Sequence, residues 1–597
     1  MPETPEATTI LLGGDVPGHE VPVVSFRQIL VWPLSVDRRG AAKSAPDGIG
    51  PRVRPELVER AFVDTVTALL AAQTTADQAG ARAGWRLIED PLDDGRLDGL
   101  DDAALYGEFV YFHEFAQEIL FGKVDRSALA AGRMDGTALV RFRNSDVVAV
   151  EVEWDRVLDW SESPPRRLAH HRLRLSVERC DLLLLREGLA FLVLEVARPE
   201  GGEDEMTVAD VQDLVDRFRR AFPPYFETKA GDVYDRIPGD RAPLPAGRAA
   251  RVPSGVRWIT RNGAACDTHV PTGLAHDIEA LIRTRNPVVA PHWVDLVPLP
   301  LTGQKAGASV PSPLNADDRP RWKAFSDERM PTMVSVQLPE TWRKAATSGD
   351  ELWTPRAMMR ALERGDFIRL CFCDDRGSGL PYDPIFLANF EQDHCYRRFE
   401  SRGTLFMATE YSFVHVLCSD FTDSLIHMRT MYCDMFLLAH IELVIHLSLS
   451  NRISVAIGRR DLRQMEASCG GSADAERQFQ DEIIKIERSF LDAEQRYRFT
   501  GVTNQLQGGE LFGMLRRKMR LDDLYGEMRE ELSTATSFIL SANADRQADS
   551  AGRLNVFAVL GLVLGLAFSF LGMNAVMSDH FWNNITLAKS NQTTQLF

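Results

Sequence analysis

The sequence predicts α+β domains, followed by a long α-helical coiled stalk and a single transmembrane helix near the C-terminus. Two blocks of the chain combine short apolar runs with turn residues, a later region repeats apolar residues every three or four positions, and one stretch near the end is apolar throughout. Of the 597 residues, 45% are hydrophobic and 26% are charged, which is typical of folded domains and not of a disordered chain.

The first block contains the clearest local signal. An apolar run within residues 20–36 indicates an early strand, and apolar residues at intervals of three or four indicate helices over 55–73 and 101–122. Two apolar runs flank Arg186-Glu187-Gly188, a pattern that predicts a β-hairpin. An amphipathic helix from Val208 to Phe222 follows.

The second block also has strands before a helix. Apolar runs predict strands at Phe367–Cys373, Thr404–Thr409 and Phe413–Leu417, and a helix from Phe421 to Ser450 comes next. The middle of this helix is apolar apart from Glu442 and a few other polar residues. Because a carboxylate and imidazoles are costly at mid-depth in a bilayer, we expect a buried helix of the soluble part.

From about residue 473 the chain is expected to form the stalk. Gly508-Gly509 predicts a turn, and the next helix contains no proline, so it can continue unbroken into the apolar stretch. The alternative is a helical hairpin without a mechanical role. The first stalk helix repeats apolar residues by four, three, four, three and four positions, the spacing of a coiled-coil seam: Phe479, Ile483, Ile486, Phe490, Ala493 and Tyr497.

The apolar stretch runs from Leu554 to Met573, with no charged residue between Arg553 and Asp579. Roughly 20 helical residues, at about 1.5 Å each, cross a hydrocarbon core of about 30 Å. A buried soluble helix can also be apolar all round, but its length without a charge favours a membrane span.

Proline, glycine and serine residues between Pro298 and Pro320 indicate a domain boundary. The predicted segments are an N-terminal α+β domain, a linker, a second α+β domain, the stalk, the transmembrane helix and a polar extracytoplasmic tail: 1–300, 301–322, 323–472, 473–553, 554–574 and 575–597.

The tripeptide Gly572-Met573-Asn574 closes the apolar stretch, after a long, charged, heptad-like helical region. This arrangement resembles the CorA family of divalent-cation transporters, over about residues 475–574. The resemblance implies a large cytoplasmic domain that leads into a stalk helix, a homopentamer, and a pore whose outer mouth is formed by Gly572, Met573 and Asn574. It also implies a divalent cation, Mg²⁺ above all, as substrate or regulator, and it indicates no organic cofactor.

The residues of the apolar stretch suit this interpretation. A single helix cannot enclose a path for ions, so helices from several copies of the chain would surround that path. A ring of Asn574 carbonyl oxygens then suits hydrated Mg²⁺. Gly561 and Gly565 form a Gly-x-x-x-Gly pair that favours close helix contact in lipid, although ordinary membrane-helix glycines give the same pattern. Asn555 and Ser569 are the other strongly hydrogen-bonding side chains of the stretch.

The chain departs from the family in one respect. CorA proteins have a second membrane helix after Gly-Met-Asn, whereas residues 575–597 are too short and too polar to cross again. The alternative hypothesis is therefore a single-span, membrane-anchored cytoplasmic sensor or effector that does not conduct ions. An enzyme is not expected, because the sequence has no Walker loop, no GxGxxG after a strand and no Gly-x-Ser-x-Gly elbow.

Charge and targeting signals give the expected location. The net charge of −17 argues against nucleic acid as the main partner. The start of the chain lacks the basic and apolar segments of a signal peptide. Basic residues precede the apolar stretch and only Lys589 follows it, so the N-terminus is expected in the cytoplasm and the C-terminus outside a cell (inner) membrane.

Metal ligands within the soluble part are weaker predictions. Glu442 and His446 lie one helical turn apart and could share a metal, but a buried pair without metal is the commoner arrangement. Cys371, Cys373, His394 and Cys395 have loose zinc-like spacing, with two core thiols as the alternative. The acidic run 200–205 could bind a cation or be a solvated loop.

Overall fold

The computed structural model describes residues 21–37, 55–79, 84–93, 100–133, 137–157, 168–199, 205–222, 225–227, 233–235, 253–263, 265–269, 288–315, 319–325, 327–339, 342–343, 352–353, 366–374, 382–418, 422–467 and 472–593. The chain forms two compact units. The globular unit comprises residues 1–448 and 492–524, and the helical unit comprises residues 449–491 and 525–597.

The globular unit is built on a 13-stranded mixed sheet, so the predicted α+β class is confirmed. Its strands are β1 (Ser25–Val36), β2 (Trp85–Ile88), β3 (Leu139–Asn144), β4 (Val147–Val157), β5 (Leu168–Leu185), β6 (Leu189–Ala197), β9 (Gly255–Thr260), β10 (Ala265–His269), β11 (Trp322–Ala324), β12 (Thr332–Gln337), β15 (Cys395–Tyr396), β16 (Thr404–Ala408) and β17 (Ser412–Leu417). Two small hairpins lie apart from it: β7 (Tyr225–Glu227) with β8 (Val233–Asp235), and β13 (Trp342–Arg343) with β14 (Leu352–Trp353).

The order of the main path is β10-β9-β4-β5-β6-β1-β12-β17-β16-β15. The long strand β5 pairs with β4 along its first half and with β3 along its second half. The β12–β17 pairing is parallel, whereas the other pairings along this path are antiparallel.

The structure does not separate residues 1–300 from 323–472 into two domains. Strand β1 pairs with β6 on one side and with β12 on the other, so both predicted domains contribute to one sheet. The Pro/Gly/Ser-rich segment between them is a connection within the globular unit, since a breaker-rich sequence marks a loop without fixing what its flanking strands pair with.

The predicted hairpin at Arg186-Glu187-Gly188 is confirmed as the β5–β6 connection. Gly188 has φ +75°, a left-handed conformation that side chains disfavour. A methyl group at this position would also overlap the side chain of Val58. Glycine is therefore required here for both backbone conformation and space.

The helices are α1 (Pro55–Gln78), α2 (Asp102–Tyr111), α3 (Glu114–Phe121), α4 (Arg126–Ala130), α5 (Val208–Phe218), α6 (Pro291–Leu296), α7 (Asp366–Phe372), α8 (Pro384–His394), α9 (Asp423–Arg429), α10 (Met431–Ala467), α11 (Ser472–Tyr497), α12 (Leu506–Lys518) and α13 (Leu521–Thr593). Single turns of 3₁₀-helix occur at Ser312–Asn315 and Glu400–Arg402.

Two predicted elements differ from the structure. Phe367–Cys373 was expected as a strand, but Asp366–Phe372 is helix α7. A short apolar run is compatible with either conformation, and here the buried faces of Phe367, Ile368 and Cys371 fit a helix against the core. The single helix expected over 101–122 is two helices, since Phe112 has an extended backbone.

The apolar helix expected from Phe421 to Ser450 is α9 and α10, with a break at Thr430. The stretch Asp423–Gly458 is long and apolar enough to cross a membrane, but 78% of its most apolar window is buried within the protein. The prediction of a buried helix of the globular part is confirmed.

The predicted seam of α11 is buried at all six positions, from Phe479 to Tyr497. Within the helical unit, the Phe490 ring stacks on Tyr525 of α13, with ring centroids 5.7 Å apart. The spacing of apolar residues therefore identified the buried face of α11. It does not by itself establish a coiled stalk.

The expected turn near residue 508 lies earlier, between Tyr497 and Leu506, and Gly508 is inside α12. A side chain at Gly508 would overlap the Tyr111 side chain, so close packing explains this glycine. A second break follows Lys518, and α13 then continues without interruption from Leu521 to Thr593, as the absence of proline predicted.

We predict that Gly188→Ala lowers the free energy of unfolding by about 2–3 kcal/mol, since it combines a left-handed backbone with a steric overlap. Gly132→Ala is the matched control, because Gly132 has φ +71° but open space around it, and it should cost only about 1 kcal/mol. Thermal unfolding of the full-length protein, followed by circular dichroism, measures both. Equal losses would contradict the packing assigned to Gly188.

Candidate functional site

The segment Gln547–Leu571 of α13 is long and apolar enough to cross a membrane, and none of it is buried. Every side chain from Leu554 to Leu571 is exposed. An apolar surface of this length is unfavourable in water and marks a site for lipid or for another protein surface.

The pore-helix positions predicted from sequence lie within this exposed segment. Gly561, Gly565 and Ser569 are spaced by four residues and therefore follow one side of the helix, and Asn555, fourteen residues before Ser569, lies at the edge of that side next to Ser569. A side chain built at Gly561 or Gly565 would meet no atom of the described residues within 4 Å, so no described part of the chain packs there. The backbone of residues 572–574 continues the helix, and their side chains lie outside the described residues.

A second polar feature lies in the globular unit. We call it the sheet-face charge cluster, and it is centred on Glu195 of β6, which has no exposed surface. Arg179 Nε lies 3.3 Å from Glu195 Oε2, and Arg429 Nε donates to Glu195 Oε1 over 3.1 Å. Arg27 of β1 donates to the same oxygen. Three arginines from three elements thus neutralise one carboxylate.

The cluster continues across the sheet to Asp181 of β5. Both carboxylate oxygens of Asp181 accept from Arg143 of β3, at 2.6 and 2.8 Å, in a bidentate pair. Desolvation would raise the pKa of Asp181, but the arginines hold it below its usual value. The members of the cluster are Arg27, Arg143, Arg179, Asp181, Glu195 and Arg429.

A pair of carboxyl groups lies beside this cluster. Glu108 of α2 is hydrogen-bonded to Asp434 in the first turn of α10. Burial, followed by the nearby Asp434 charge, raises the pKa of Glu108 to about 9, and burial also raises the pKa of Asp434. Glu108 therefore holds a proton at neutral pH, since two adjacent buried carboxylates would repel each other.

The partners in this cluster are not apparent from the sequence. The available signal was a charged residue inside an apolar strand, as at Glu195 in Leu192-Val193-Leu194-Glu195-Val196. A charge in such a run either marks an exposed edge or requires buried partners, and the partners come from segments far away in sequence. The arrangement holds α9 against the sheet, and a hydrogen bond from Arg179 to Cys433 holds the start of α10 there.

Glu442, predicted as a weak metal ligand, is instead the partner of Arg516. Arg516 Nη1 donates to Glu442 Oε2 over 2.6 Å, and the same oxygen accepts from the backbone N–H of Phe499 over 3.1 Å. Burial lowers the pKa of His446 to about 4, so this imidazole is neutral. A guanidinium beside the carboxylate disfavours a cation at this place.

The four residues of the zinc hypothesis lie in or near α7 and α8. Cys371 and Cys373 are buried, and burial raises the pKa of both thiols. The His394 ring stacks on Phe390, with centroids 3.9 Å apart. Among the residues that the structure describes, no group of three or more His, Cys, Asp or Glu side chains could hold a metal ion. Residues 200–204 of the acidic run lie outside that description.

Comparisons with protein-family models, with curated proteins and with solved structures find no match for this chain. The functional proposal therefore rests on the sequence and on the positions of the described residues.

The Glu108–Asp434 pair predicts a pH dependence of stability. In the unfolded chain Glu108 ionises near pH 4.5, whereas in the folded protein it keeps its proton up to about pH 9. Since the folded state binds the extra proton between these values, its stability decreases as the pH rises. Glu108→Gln should reduce this decrease by at least about 1 kcal/mol between about pH 6 and pH 9.

Urea unfolding at several pH values measures this effect. Glu114→Gln is the control, because Glu114 is exposed at the start of α3. If Glu108→Gln and the wild type lost stability in parallel with rising pH, the raised pKa of Glu108 would be disproved.

Proposed function

We propose that this protein is a membrane-embedded homo-oligomer in which α13 spans the bilayer and divalent cations, Mg²⁺ above all, pass along the axis of the helix bundle. The observation that carries the proposal is the complete exposure of the apolar segment Gln547–Leu571 on an unbroken helix. Its 25 residues exceed the roughly 20 needed to cross the hydrocarbon core.

The resemblance to CorA transporters supports the cargo and the assembly. Gly572-Met573-Asn574 closes the apolar segment, where the family places the outer mouth of its pentameric pore. Open space beside Gly561 and Gly565 allows a second copy of the helix to approach closely. In this arrangement the globular unit is cytoplasmic and the C-terminus lies outside.

A second function is favoured by a specific observation. Of the two helices apolar enough to span a membrane, one is mostly buried in the protein, so the described residues offer a single span per copy. A single-span protein can act as an anchored cytoplasmic sensor or effector without conducting ions.

Membrane insertion is tested by placing charges in the segment. Leu562→Arg combined with Leu566→Arg should cost about 5–7 kcal/mol of insertion free energy, because each arginine at the centre of a span costs about 2.5–3.5 kcal/mol. The measurement is the fraction of protein that stays in membranes after carbonate extraction.

The matched control is Ser537→Arg combined with Leu540→Arg, which places two charges on exposed positions of the same helix before the apolar segment. This variant should remain in membranes. Release of both variants from membranes by carbonate, or release of the wild type, would argue against a transmembrane α13.

Cation passage is tested in proteoliposomes loaded with a Mg²⁺-sensitive dye. Asn574→Ala should reduce Mg²⁺ influx at least about tenfold, since it removes the carbonyl ring proposed for the pore mouth. Asn583→Ala is the control, because it changes an asparagine beyond that mouth and should conduct normally.

Tight wild-type vesicles, or influx that survives Asn574→Ala unchanged, would favour the anchored sensor. A monomeric mass of the detergent-purified protein would likewise leave no closed path for ions.

A further inference from the structure

The guanidinium group of Arg516 lies where three helices meet inside the globular unit. Arg516 Nη1 donates to Glu442 of α10 over 2.6 Å and also to the backbone oxygen of Phe499, two residues after α11 ends. Arg516 Nη2 donates to Asp522, in the first turn of α13, over 2.6 Å. Within the globular unit, Arg516 therefore links α10, the segment that follows α11 and the first turn of α13.

The two carboxylate partners of Arg516 differ in their exposure to water. The Glu442 side chain is 0% exposed and that of Arg516 is 5% exposed, whereas Asp522 is 69% exposed. Breaking the Arg516–Glu442 pair would leave buried charges without partners, which is strongly unfavourable. The Arg516–Asp522 pair faces solvent, contributes less and is screened by salt. Asp522 is therefore the partner that can be released.

A strained joint lies between Arg516 and α13. Arg520 separates α12 from α13 and has φ +51°. Its N–H donates to the carbonyl of Arg517, while its own carbonyl accepts from the N–H of Leu524, so one residue ends one helix and begins the next. This left-handed conformation is unfavourable for arginine and is usually taken by glycine. The Arg516–Asp522 pair spans this residue, since it joins α12 to the first turn of α13.

We propose that Arg516 is a positioning residue with one permanent partner, Glu442, and one releasable partner, Asp522. Release of Asp522 frees the first turn of α13 to move at Arg520. This movement regulates cation passage through the bundle, a part of the inference that rests on the proposed function. The joint itself does not depend on transport.

The test compares two neighbouring carboxylates in the first turn of α13. Asp522→Asn removes the releasable partner. Asp523→Asn is the matched control, since Asp523 is 64% exposed and pairs with Arg520 (3.2 Å) and not with Arg516. Both changes remove one negative charge from the start of the same helix, so effects on the helix dipole are equal.

The first measurement is a spin-label distance in the full-length protein in lipid nanodiscs. Labels carried by keto amino acids at positions 509 and 529 leave the native cysteines untouched, and dilution with unlabelled protein suppresses distances between copies. Both positions are exposed, one on α12 and one on α13. Asp522→Asn should raise the population of released conformers about two- to fivefold, the range expected for a partly exposed ion pair, and Asp523→Asn should not.

The salt dependence of the spin-label distance distinguishes a releasable ion pair from a purely structural contact. Raising the ionic strength from about 0.1 M to about 1 M shortens the Debye length from about 10 Å to about 3 Å. The wild-type distance distribution should then broaden as in Asp522→Asn, while that of Asp522→Asn should not respond. Mg²⁺ influx into proteoliposomes should change about two- to fivefold with Asp522→Asn and stay constant with Asp523→Asn.

Every other outcome disproves a defined part of the proposal. Identical distance distributions for the two variants, or a salt response retained by Asp522→Asn, would disprove the joint. A distance that responds while influx stays constant would disprove its regulatory role. If the wild type conducts no ions, the proposed transport fails, and the distance measurement still decides the joint.

Discussion

The buried carboxylate of Glu195 places the strictest constraint on the globular unit. A carboxylate that is shielded from water on a central strand is stable only if cationic side chains pair with it. Arg27, Arg179 and Arg429 pair with Glu195 from β1, β5 and α9. These contacts fix which strands neighbour β6 and where α9 lies on the sheet. Because α10 begins two residues after α9 ends, its start is fixed as well.

Helix α10 then connects two buried polar sites. Asp434 in its first turn pairs with Glu108, and Glu442, about 12 Å further along the helix, binds Arg516. The same helix looks like a membrane span by composition alone. Its carboxylates are tolerated because each has a partner within the protein, and such satisfied polar sites define one arrangement of the elements around them.

The apolar segment of α13 has the opposite character. None of the described residues of the chain covers it, and an apolar surface of this length marks a site for lipid or for another protein surface. In the proposed assembly, lipid covers the outside of a bundle and neighbouring copies meet along its axis. Within the globular unit, Arg516 donates to Asp522 in the first turn of α13, and Arg520 separates α12 from α13.

The sequence alone determined the features that depend on local pattern. The glycine turn between β5 and β6, the burial of the Phe479–Tyr497 seam and the long apolar stretch could all be predicted, because residue spacing reports which face of an element avoids water. The buried nature of α10 was also predictable, since its charges exclude a span.

Only the tertiary structure decided the rest. The short apolar run before Cys373 could form a strand or a helix, and packing against the core favours the helix, α7. The pairing of β1 with β12 joins segments about 300 residues apart, a choice among many compatible strands. The partners of Glu195 and Glu442 arise from desolvated ion pairs between distant segments. Local periodicity cannot specify such pairs, because their energies exist only once the surrounding elements have excluded water.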